Sequence, residues 1–391
     1  MKYLVFVFDG LADFPTEKTP LRLAKKPNID YFSSNGFVGR LKLINKKDWN
    51  EKTRASVSHI ANTSFLGYNP KKFRNERGVL EAISAGLEYK NGWLSIRCDF
   101  ATLENGIVVD RRAGRNTFGL DILEKEINKK IDIGVDFIFK RTYGHRAVLL
   151  IKENLSDKIQ LNDPLSSNFP PKEIIPLSKK AEKSAKIVKD FIEQTRILLS
   201  QHDVNKKREK NGILPANYLL LREAGNKIKY FKPSFTKKYK VKAIVISEPG
   251  VMKATCMLAG FDSLDIFEEF DYKKGLKFVF EKIEEVLVDY NFVYVHLKWS
   301  DEAAHDKNYE KKKKIIEEFD KYLGEYKNFE GRIMITTDHI TSCETGKHEF
   351  GDVPVLIYPY SKIKTVKYFD EISAQKSIRL TPKKLWKIFF S

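Results

Sequence analysis

The run Tyr3-Leu4-Val5-Phe6-Val7-Phe8 is followed directly by Asp9-Gly10. Six apolar residues, rich in aromatic and β-branched side chains, that end at an acid are typical of a buried strand and unlike a signal peptide. Similar runs occupy residues 242–246, 292–297, 332–335 and 353–358, with helical patterns at 272–288 and 309–326. This alternation predicts an α/β fold, a mostly parallel sheet with helices on both faces.

The middle of the chain has a different pattern. Strand-like segments at 94–98, 106–110, 136–140 and 146–152 precede a helical stretch at 179–201 and a further strand at 218–222. We interpret residues 88–233 as a smaller α/β domain inserted into a discontinuous first domain of residues 1–87 and 234–391. The joints are expected near Gly86-Leu87 and at residues 229–234. A length of 391 residues fits two or three domains.

The composition narrows the class of protein. No apolar run reaches the roughly 18 residues that a membrane-spanning helix needs. The three cysteines form no C-x-x-C pair, so a reducing compartment and a cytoplasmic location are expected. The net charge of +18 is compatible with nucleic-acid binding. However, the lysines are interleaved with glutamates as on solvated helix faces, and we favour that interpretation.

A cluster of candidate metal ligands lies near the C-terminus. Four of the seven histidines fall in one stretch: His296, His305, His339 and His348. Asp301 and His305 are four residues apart, hence on one helix face, and Asp338 follows a strand. One such Asp-His pair alone would be read as helix capping, but two pairs with a third histidine favour a metal site. Oxygen and imidazole ligands suit Mn²⁺, Zn²⁺, Co²⁺ or Fe²⁺. His296 and Cys343 are expected to lie outside the ligand set.

The N-terminal region adds a carboxylate and a hydroxyl. Asp9 follows the first strand, and Ser58 is expected at the start of a helix, where N–H groups and the helix dipole favour an anion. A serine beside a metal can lose its proton and attack phosphorus. Taken alone, Ser58 would be an ordinary N-cap. Together with the metal candidates it indicates two-metal phosphoryl transfer.

Short strings run in order along nearly the whole chain: Asp9-Gly10-Leu11-Ala12-Asp13, Lys18-Thr19-Pro20-Leu21, Lys26-Pro27-Asn28-Ile29-Asp30, Leu66-Gly67-Tyr68-Asn69-Pro70, Arg77-Gly78, Glu81-Ala82, Asp110-Arg111-Arg112-Ala113-Gly114-Arg115, Pro215-Ala216-Asn217, Asp301 to His305 and Thr337-Asp338-His339. Together they resemble the alkaline phosphatase superfamily and, within it, the archaeal type of cofactor-independent phosphoglycerate mutase. Each string alone is weakly specific, but their order is highly specific.

The resemblance implies an alkaline-phosphatase-like fold and a chemistry. It implies that 3-phosphoglycerate and 2-phosphoglycerate, intermediates of glycolysis and gluconeogenesis, are interconverted through a transient phosphoserine at Ser58. It also implies two divalent metal ions, with Mn²⁺ favoured over Mg²⁺, Co²⁺ or Zn²⁺. The implied ligands are Asp301, His305 and His348 for one ion, and Asp9, Ser58, Asp338 and His339 for the other.

The resemblance further implies that the inserted domain holds the phosphoglycerate through arginines. The implied residues are the motif Arg111, Arg112 and Arg115 with the companions Arg97, Arg146 and Arg222. Guanidinium groups suit phosphate and carboxylate because they bind both through two parallel hydrogen bonds. Lys253 matches a lysine near the phosphoryl group, and Asp110 is a candidate for moving protons between the glycerate hydroxyls. A second domain that closes over the first would exclude water.

The chain departs from the family pattern at several positions. His59 stands where the family usually has Asp, and Val57 where it has Gly. Glu223 follows Arg222 where Gly is expected, so its carboxylate would repel an anionic substrate. Residues 262–271 are acidic and rich in Phe instead of Gly and Thr. Because no predicted metal ligand is lost, these departures concern the substrate and turnover more than the reaction class.

Two alternatives therefore stay open. One is a metal-dependent phosphatase, or a mutase of another phosphosugar, within the same superfamily. The other is a basic nucleic-acid-binding protein with a relict metal site, a different class altogether. A small-molecule phosphoglycerate is the expected partner, and neither a membrane nor nucleic acid is expected as one.

Overall fold

The computed structural model describes residues 1–73, 75–360 and 366–391. Its helices are α1 (Pro20–Leu23), α2 (Pro27–Ser34), α3 (Glu51–Ala55), α4 (Val57–Phe65), α5 (Arg77–Ser84), α6 (Leu120–Lys130), α7 (Glu182–Gln201), α8 (Asp203–Lys210), α9 (Phe235–Tyr239), α10 (Val251–Leu258), α11 (Tyr272–Val286), α12 (Trp299–His305), α13 (Tyr309–Leu323), α14 (Glu371–Gln375) and α15 (Pro382–Phe389). Within these described residues, no helix combines the length and the apolar character that crossing a membrane requires.

The strands are β1 (Lys2–Phe8), β2 (Phe37–Leu41), β3 (Trp93–Glu104), β4 (Ile107–Asp110), β5 (Phe137–Arg141), β6 (Arg146–Asn154), β7 (Ile159–Gln160), β8 (Ile175–Pro176), β9 (Tyr218–Gly225), β10 (Ala243–Ser247), β11 (Asp262–Asp265), β12 (Phe292–Leu297), β13 (Gly331–Thr337), β14 (Ile340–Ser342), β15 (Lys347–Glu349), β16 (Val353–Tyr358) and β17 (Arg379–Leu380). The predicted strands and the long helices are all present, with ends that differ by a few residues.

The chain divides into two compact units. The first comprises Met1–Arg74, Tyr230–Glu248 and Thr255–Ser391, and the second comprises Asn75–Lys229 with Pro249–Ala254. The second unit thus begins earlier than the predicted insertion of residues 88–233. The reason is that α5, which was expected in the first domain, packs against β3, β6 and β9 of the second unit.

The first unit is built on an eight-stranded sheet of order β11-β10-β12-β1-β13-β16-β2-β17. Seven strands run in the same direction, and only β16 is antiparallel to its neighbours. The central strand β1 pairs in parallel with β12 and with β13. The predicted α/β fold with a mostly parallel sheet is therefore confirmed.

Both faces of this sheet are covered by helices. On one face Phe6 of β1 packs against Phe319 of α13 and Phe280 of α11, with ring centroids 5.0 and 5.6 Å apart. On the other face Phe65 of α4 contacts Tyr294 of β12 at 6.1 Å. Successive residues of a strand point to opposite faces, so each buried strand contributes to both cores.

The second unit contains an antiparallel sheet of order β4-β3-β6-β5, with β9 also paired to β3. The turn between β3 and β4 is Asn105-Gly106, with φ angles of 49° and 78°. Two successive residues with positive φ are what a tight hairpin needs, and Asn-Gly supplies them at low cost. Leu123 of α6 and Phe191 of α7 belong to the core that covers this sheet.

Candidate functional site

The carboxyl ends of the three central strands place the candidate ligands of the first unit. Asp9 follows β1, Asp338 and His339 follow β13, and β12 leads into α12, which carries Asp301. The hydrogen bonding between β1 and β12 continues as far as Asp9, because the Asp9 N–H donates to the Leu297 carbonyl at 2.8 Å. Gly10 has a φ of 59°, and a Cβ there would lie 2.6 Å from Asp301 Oδ1. Glycine therefore lets this strand end approach α12 closely.

One group of candidate ligands consists of Asp9, Asp338 and His339, whose ligand atoms all lie within 4.8 Å of one another. All three side chains are buried. His339 Nε2 is 2.8 Å from Asp9 Oδ1 and 3.2 Å from the Ser58 hydroxyl. Ser58 is the second residue of α4, one position later than the predicted helix start. The structure thus brings together all four residues predicted for one metal.

A second group consists of Asp301, His339 and His348, again with ligand atoms within 4.8 Å. The predicted ligand His305 joins them, because its Nε2 atom lies 3.2 Å from Asp301 Oδ2 and 3.1 Å from His348 Nε2. His348 reaches the site from β15, where it pairs with Thr341 of β14. The predicted set Asp301, His305 and His348 is therefore assembled, with His339 next to it.

The charges of these groups are strongly coupled. Burial raises the pKa of Asp9 above its usual range, and the carboxylates of Asp338 and Asp301 raise it further. Burial would lower the pKa of His339, but Asp338, Asp9 and Asp301 raise it to about 10. For Asp301, burial would raise the pKa, but hydrogen bonds from His305 and His348 bring it well below the usual range. Three buried carboxylates so close together favour a bound cation.

The orientation of the imidazoles also fits metal binding. His305 Nδ1 lies 2.8 Å from the Gly346 carbonyl, and His348 Nδ1 lies 2.9 Å from the Arg54 carbonyl. A carbonyl only accepts, so both Nδ1 atoms carry a proton, and each Nε2 atom, which faces Asp301, becomes a ligand atom once a cation replaces its proton. In addition, Asp9 Oδ1 is buried and lies against His339 Nε2 at 2.8 Å. Carboxylate and imidazole donors of this kind suit divalent transition metals.

Two polar residues that the sequence did not point to support the ligands. Asn62 of α4 donates to Asp338 Oδ2 at 2.7 Å and to the Ser58 carbonyl at 2.8 Å. The Thr341 hydroxyl donates to Asp301 Oδ1 at 2.6 Å and lies 3.1 Å from His339 Nδ1. Asn62 lies four residues after Ser58, a helical spacing that would have placed it on the same face. For Thr341 the sequence held no comparable signal.

His296 and Cys343, which were expected outside the ligand set, and His59, which departs from the family pattern, make the following contacts. His296 is buried in β12, with Nε2 3.6 Å from Asp338 Oδ2. The Cys343 backbone N–H donates to Asp13 Oδ1 at 2.8 Å. His59, which replaces the usual Asp, is buried with Nδ1 3.4 Å from the Thr255 hydroxyl.

The second unit holds a cluster of arginines and acids on α5, β3, β6 and β9, with contributions from nearby loops. Arg222 pairs with Asp99 at 2.7 Å and with Asp163 at 3.4 Å, and Arg111 pairs with Asp163 at 2.5 Å. Arg97 lies 3.6 Å from Asp99. We call this the arginine cluster; its members are Arg77, Arg97, Arg111, Arg146, Arg222, Glu81, Asp99, Asp163 and Glu223. Asp99 lies two residues after Arg97 on β3, so both side chains point to the same face of the strand. This two-residue spacing could have identified Asp99 from the sequence.

The arginine cluster is partly buried and incompletely paired. The Nε atoms of Arg97, Arg146 and Arg222 are buried without a hydrogen-bond partner in the described part of the chain. Burial would raise the pKa of Glu81, but Arg77, Arg97 and Arg146 lower it. Burial lowers the pKa of His145 to about 3, and Arg146 acts in the same direction. Unpaired guanidinium nitrogens beside a neutral histidine favour an anionic ligand.

The remaining predicted residues are less closely joined to this cluster. Arg112 and Arg115 are exposed in the turn after β4. Asp110 Oδ1 accepts from the Arg112 N–H at 2.6 Å and the Gly114 N–H at 3.1 Å, so it caps this turn. That contact gives Asp110 a structural role in this turn. Lys253 is buried on α10, in the segment counted with the second unit.

Fold and site together define an α/β protein with a candidate metal centre at the carboxyl edge of a parallel sheet. The family model described as 2,3-bisphosphoglycerate-independent phosphoglycerate mutase matches residues 48–205. The protein of that name from Pyrococcus furiosus is 36% identical over 372 residues, covering 91% of this chain and 88% of its own. This chain therefore belongs to the 2,3-bisphosphoglycerate-independent phosphoglycerate mutase family, as the sequence strings predicted.

Solved structures agree with this assignment. A cofactor-independent phosphoglycerate mutase from Thermoplasma acidophilum has a TM-score of 0.65 and 31% sequence identity, covering 100% of this chain and 99% of its own. A protein from Pyrococcus horikoshii has a TM-score of 0.73 and 27% identity, covering 99% of this chain and 96% of its own. The similarity spans both compact units.

Proposed function

We propose that this chain interconverts 3-phosphoglycerate and 2-phosphoglycerate without 2,3-bisphosphoglycerate, a step of glycolysis and gluconeogenesis. The observation that carries the proposal is the Ser58 hydroxyl 3.2 Å from His339 Nε2, among buried carboxylates and imidazoles. A phosphoryl acceptor in such a place is what phosphoserine chemistry requires. Relatives named for the activity match over 91% of this chain, which supports the assignment of that activity.

The proposed metal ligands are those predicted from the sequence. Asp301, His305 and His348 would hold one divalent ion, and Asp9, Ser58, Asp338 and His339 the other, with Mn²⁺ favoured. Bound ions would lower the pKa of the serine hydroxyl and stabilise the charge that develops on the phosphoryl oxygens. Asn62 would orient the carboxylate of Asp338, and Thr341 that of Asp301, through their hydrogen bonds.

Ser58 is the proposed nucleophile. Its oxygen would form a bond to phosphorus while the bond from phosphorus to the glycerate oxygen breaks, and the released glycerate oxygen takes a proton. The other glycerate hydroxyl would then attack the phosphoserine, lose its proton and return Ser58 to the free hydroxyl. The N-terminal position of Ser58 on α4 supports this role, because helix N–H groups face incoming anionic oxygens.

The arginine cluster is the proposed binding site for phosphoglycerate. The buried, unpaired Nε atoms of Arg97, Arg146 and Arg222 support this role. Asp99 and Asp163 would hold the guanidinium planes through the ion pairs described above. Arg111 would contribute from the same cluster, and the exposed Arg112 and Arg115 from its edge. The family resemblance further suggests that Lys253 lies near the phosphoryl group and that Asp110 carries protons between the glycerate hydroxyls. The proposed location of the protein is the cytoplasm.

A second candidate is a phosphatase or a mutase of another phosphosugar. The observation that favours it is Glu223, whose carboxylate lies 3.5 Å from Arg97 Nη1 and competes with an anionic substrate. Such a protein would use the same metals and Ser58 but would release phosphate or accept a different sugar phosphate.

The deciding experiment is a coupled assay for 2-phosphoglycerate, started with 3-phosphoglycerate and Mn²⁺ in the absence of 2,3-bisphosphoglycerate. The proposal expects sustained formation of 2-phosphoglycerate that stops with a chelator and resumes with Mn²⁺. Release of inorganic phosphate without 2-phosphoglycerate would instead support the phosphatase. No turnover, together with a salt-sensitive shift of duplex DNA or RNA, would support the nucleic-acid-binding alternative.

A further inference from the structure

Strand β9 contains a bulge at Glu223. Between the pairs Ser95–Gly225 and Arg97–Arg222, β3 advances by two residues and β9 by three. An extra residue interrupts the alternation of side chains along a strand, so sequence neighbours can share a face. Glu223 also has a φ of 55°, in the left-handed region that favours glycine. A charged residue held in this conformation indicates a role for its side chain.

The bulge brings two oppositely charged neighbours into one cluster. Arg222 pairs with Asp99 at 2.7 Å, whereas Glu223 Oε2 lies 3.5 Å from Arg97 Nη1. The Glu223 side chain is 45% exposed, while that of Arg97 is only 7% exposed. The carboxylate therefore approaches the buried guanidinium from the solvent side, the direction from which a ligand would arrive.

Glu223 changes the charge of the arginine cluster substantially. The cluster has five guanidinium groups and four carboxylates. They are joined by the ion pairs given above, by a pair between Arg77 and Glu81 at 3.3 Å, and by the charges of Arg97 and Arg146 acting on Glu81. With Glu223 ionised it carries one net positive charge, and without it two. The other three carboxylates are buried. Glu223 is thus the one member carboxylate that can swing into solvent when a ligand binds.

We propose that Glu223 is a specificity-determining residue that limits the negative charge of the ligand that this cluster accepts. Its carboxylate occupies Arg97 in the free protein and is displaced by an anionic group of the ligand. Repulsion by a fixed negative charge grows with the charge of the ligand. The site therefore favours monophosphorylated over bisphosphorylated compounds. This inference rests on the proposed function of the cluster as an anion site.

The test measures ligand affinity by isothermal titration calorimetry in the Mn²⁺-loaded protein. Sulfate and 2,3-bisphosphoglycerate serve as probes of low and high charge. Glu223→Gln removes the charge and keeps the size, and Glu223→Gly also relieves the positive φ, so it should fold at least as well. Glu88→Gln is the matched control, because Glu88 is 76% exposed and pairs with Lys90 away from the cluster.

Both Glu223 variants should bind sulfate about threefold more tightly and 2,3-bisphosphoglycerate about tenfold more tightly, while the control stays within about twofold of the unaltered protein. Equal tightening for the two ligands, no tightening, or no sulfate binding by any variant would overturn the inference. The coupled mutase assay on the unaltered protein separates the two proposals. If it fails while the charge-dependent tightening is observed, only the proposed function is lost.

Discussion

Lys312 and Asp13 form a buried ion pair, with Lys312 Nζ 2.7 Å from Asp13 Oδ2. The same ammonium group donates to the Thr341 carbonyl at 2.9 Å, and Asp13 Oδ1 accepts from the Cys343 N–H at 2.8 Å. The pair thus holds β14 at Thr341 and directly after its end at Cys343. The Thr341 hydroxyl in turn contacts Asp301 and His339. Asp13 belongs to the string that begins at Asp9, which gives the end of that string a physical role.

Removal of the ammonium group should destabilise the first unit. Lys312→Met leaves Asp13 buried and uncompensated, so we expect the free energy of unfolding to fall by about 3–5 kcal/mol. Lys313→Met is the control, since Lys313 pairs with the exposed Glu310 at the surface and its loss should change the free energy of unfolding far less. Urea denaturation followed by circular dichroism measures both. Similar losses for the two variants would contradict the structural role of the buried pair.

Thr341 should control metal affinity without being a ligand. Thr341→Val keeps the shape but removes the hydroxyl that orients Asp301 and His339. Loss of such a supporting hydrogen bond should weaken Mn²⁺ binding about 10- to 100-fold. Thr341→Ser retains the hydroxyl and should stay near the affinity of the unaltered protein. Calorimetric titration with Mn²⁺ gives the result directly, and equal affinities for valine and serine would exclude this role.

The two groups of candidate ligands should be separable by mutation. His348→Ala removes an imidazole from the group around Asp301 and leaves Asp9, Asp338 and His339 intact. We expect the bound Mn²⁺ to fall from two ions per chain to one, and turnover to be lost. Equilibrium dialysis with elemental analysis measures the stoichiometry. His202→Ala, in a different part of the chain at the start of α8, is the control and should retain both ions.

Ser58→Ala should abolish turnover. We expect the rate to fall by at least about 1,000-fold, as it does when other enzymes lose their nucleophile. One ion would lose a single oxygen ligand, so bound Mn²⁺ should still be detected by dialysis. Incubation with labelled 3-phosphoglycerate should label the unaltered chain at Ser58 and leave the variant unlabelled. Ser64→Ala, on the same helix, is the control. A Ser58→Ala variant that retained activity would exclude the phosphoserine mechanism.

Glu371 should make stability depend on pH. Burial raises the pKa of Glu371 to about 7, even though the Asp13 N–H and the Thr19 hydroxyl donate to it at 2.9 and 2.7 Å. The folded state therefore holds this proton more tightly than the unfolded state does. Its contribution to stability is complete below the unfolded pKa and is lost as pH rises through about 7.

Glu371→Gln removes this titration while keeping an acceptor for the Asp13 N–H. The difference in unfolding free energy between variant and unaltered protein should grow in favour of the variant by about 3 kcal/mol between pH 4.5 and pH 7.5. Urea denaturation at a series of pH values measures it. Glu330→Gln, an exposed substitution, is the control. A difference that stays constant with pH would refute the titration of Glu371.

Much of the fold could be predicted because hydrophobic patterning is local. The runs that became β1, β12, β13 and β16 were visible as apolar segments, the first three of them leading to an acid, and the Asn105-Gly106 hairpin follows from two adjacent residues. The joint between the units was misplaced, because α5 is amphipathic and its sequence does not say which sheet it covers. The order of the strands in the sheet could not be predicted from the sequence, because strand pairing is a contact between distant segments.

The candidate site shows the same division. The sequence by itself determined the chemistry, because Asp, His and Ser at strand and helix ends limit what can be bound and transferred. Only the tertiary structure decided the geometry: that His339 stands between two groups of ligands, that Thr341 supports both, and that a bulge turns Glu223 toward Arg97. These relationships depend on register and close packing between segments far apart in the chain, and no local pattern encodes them.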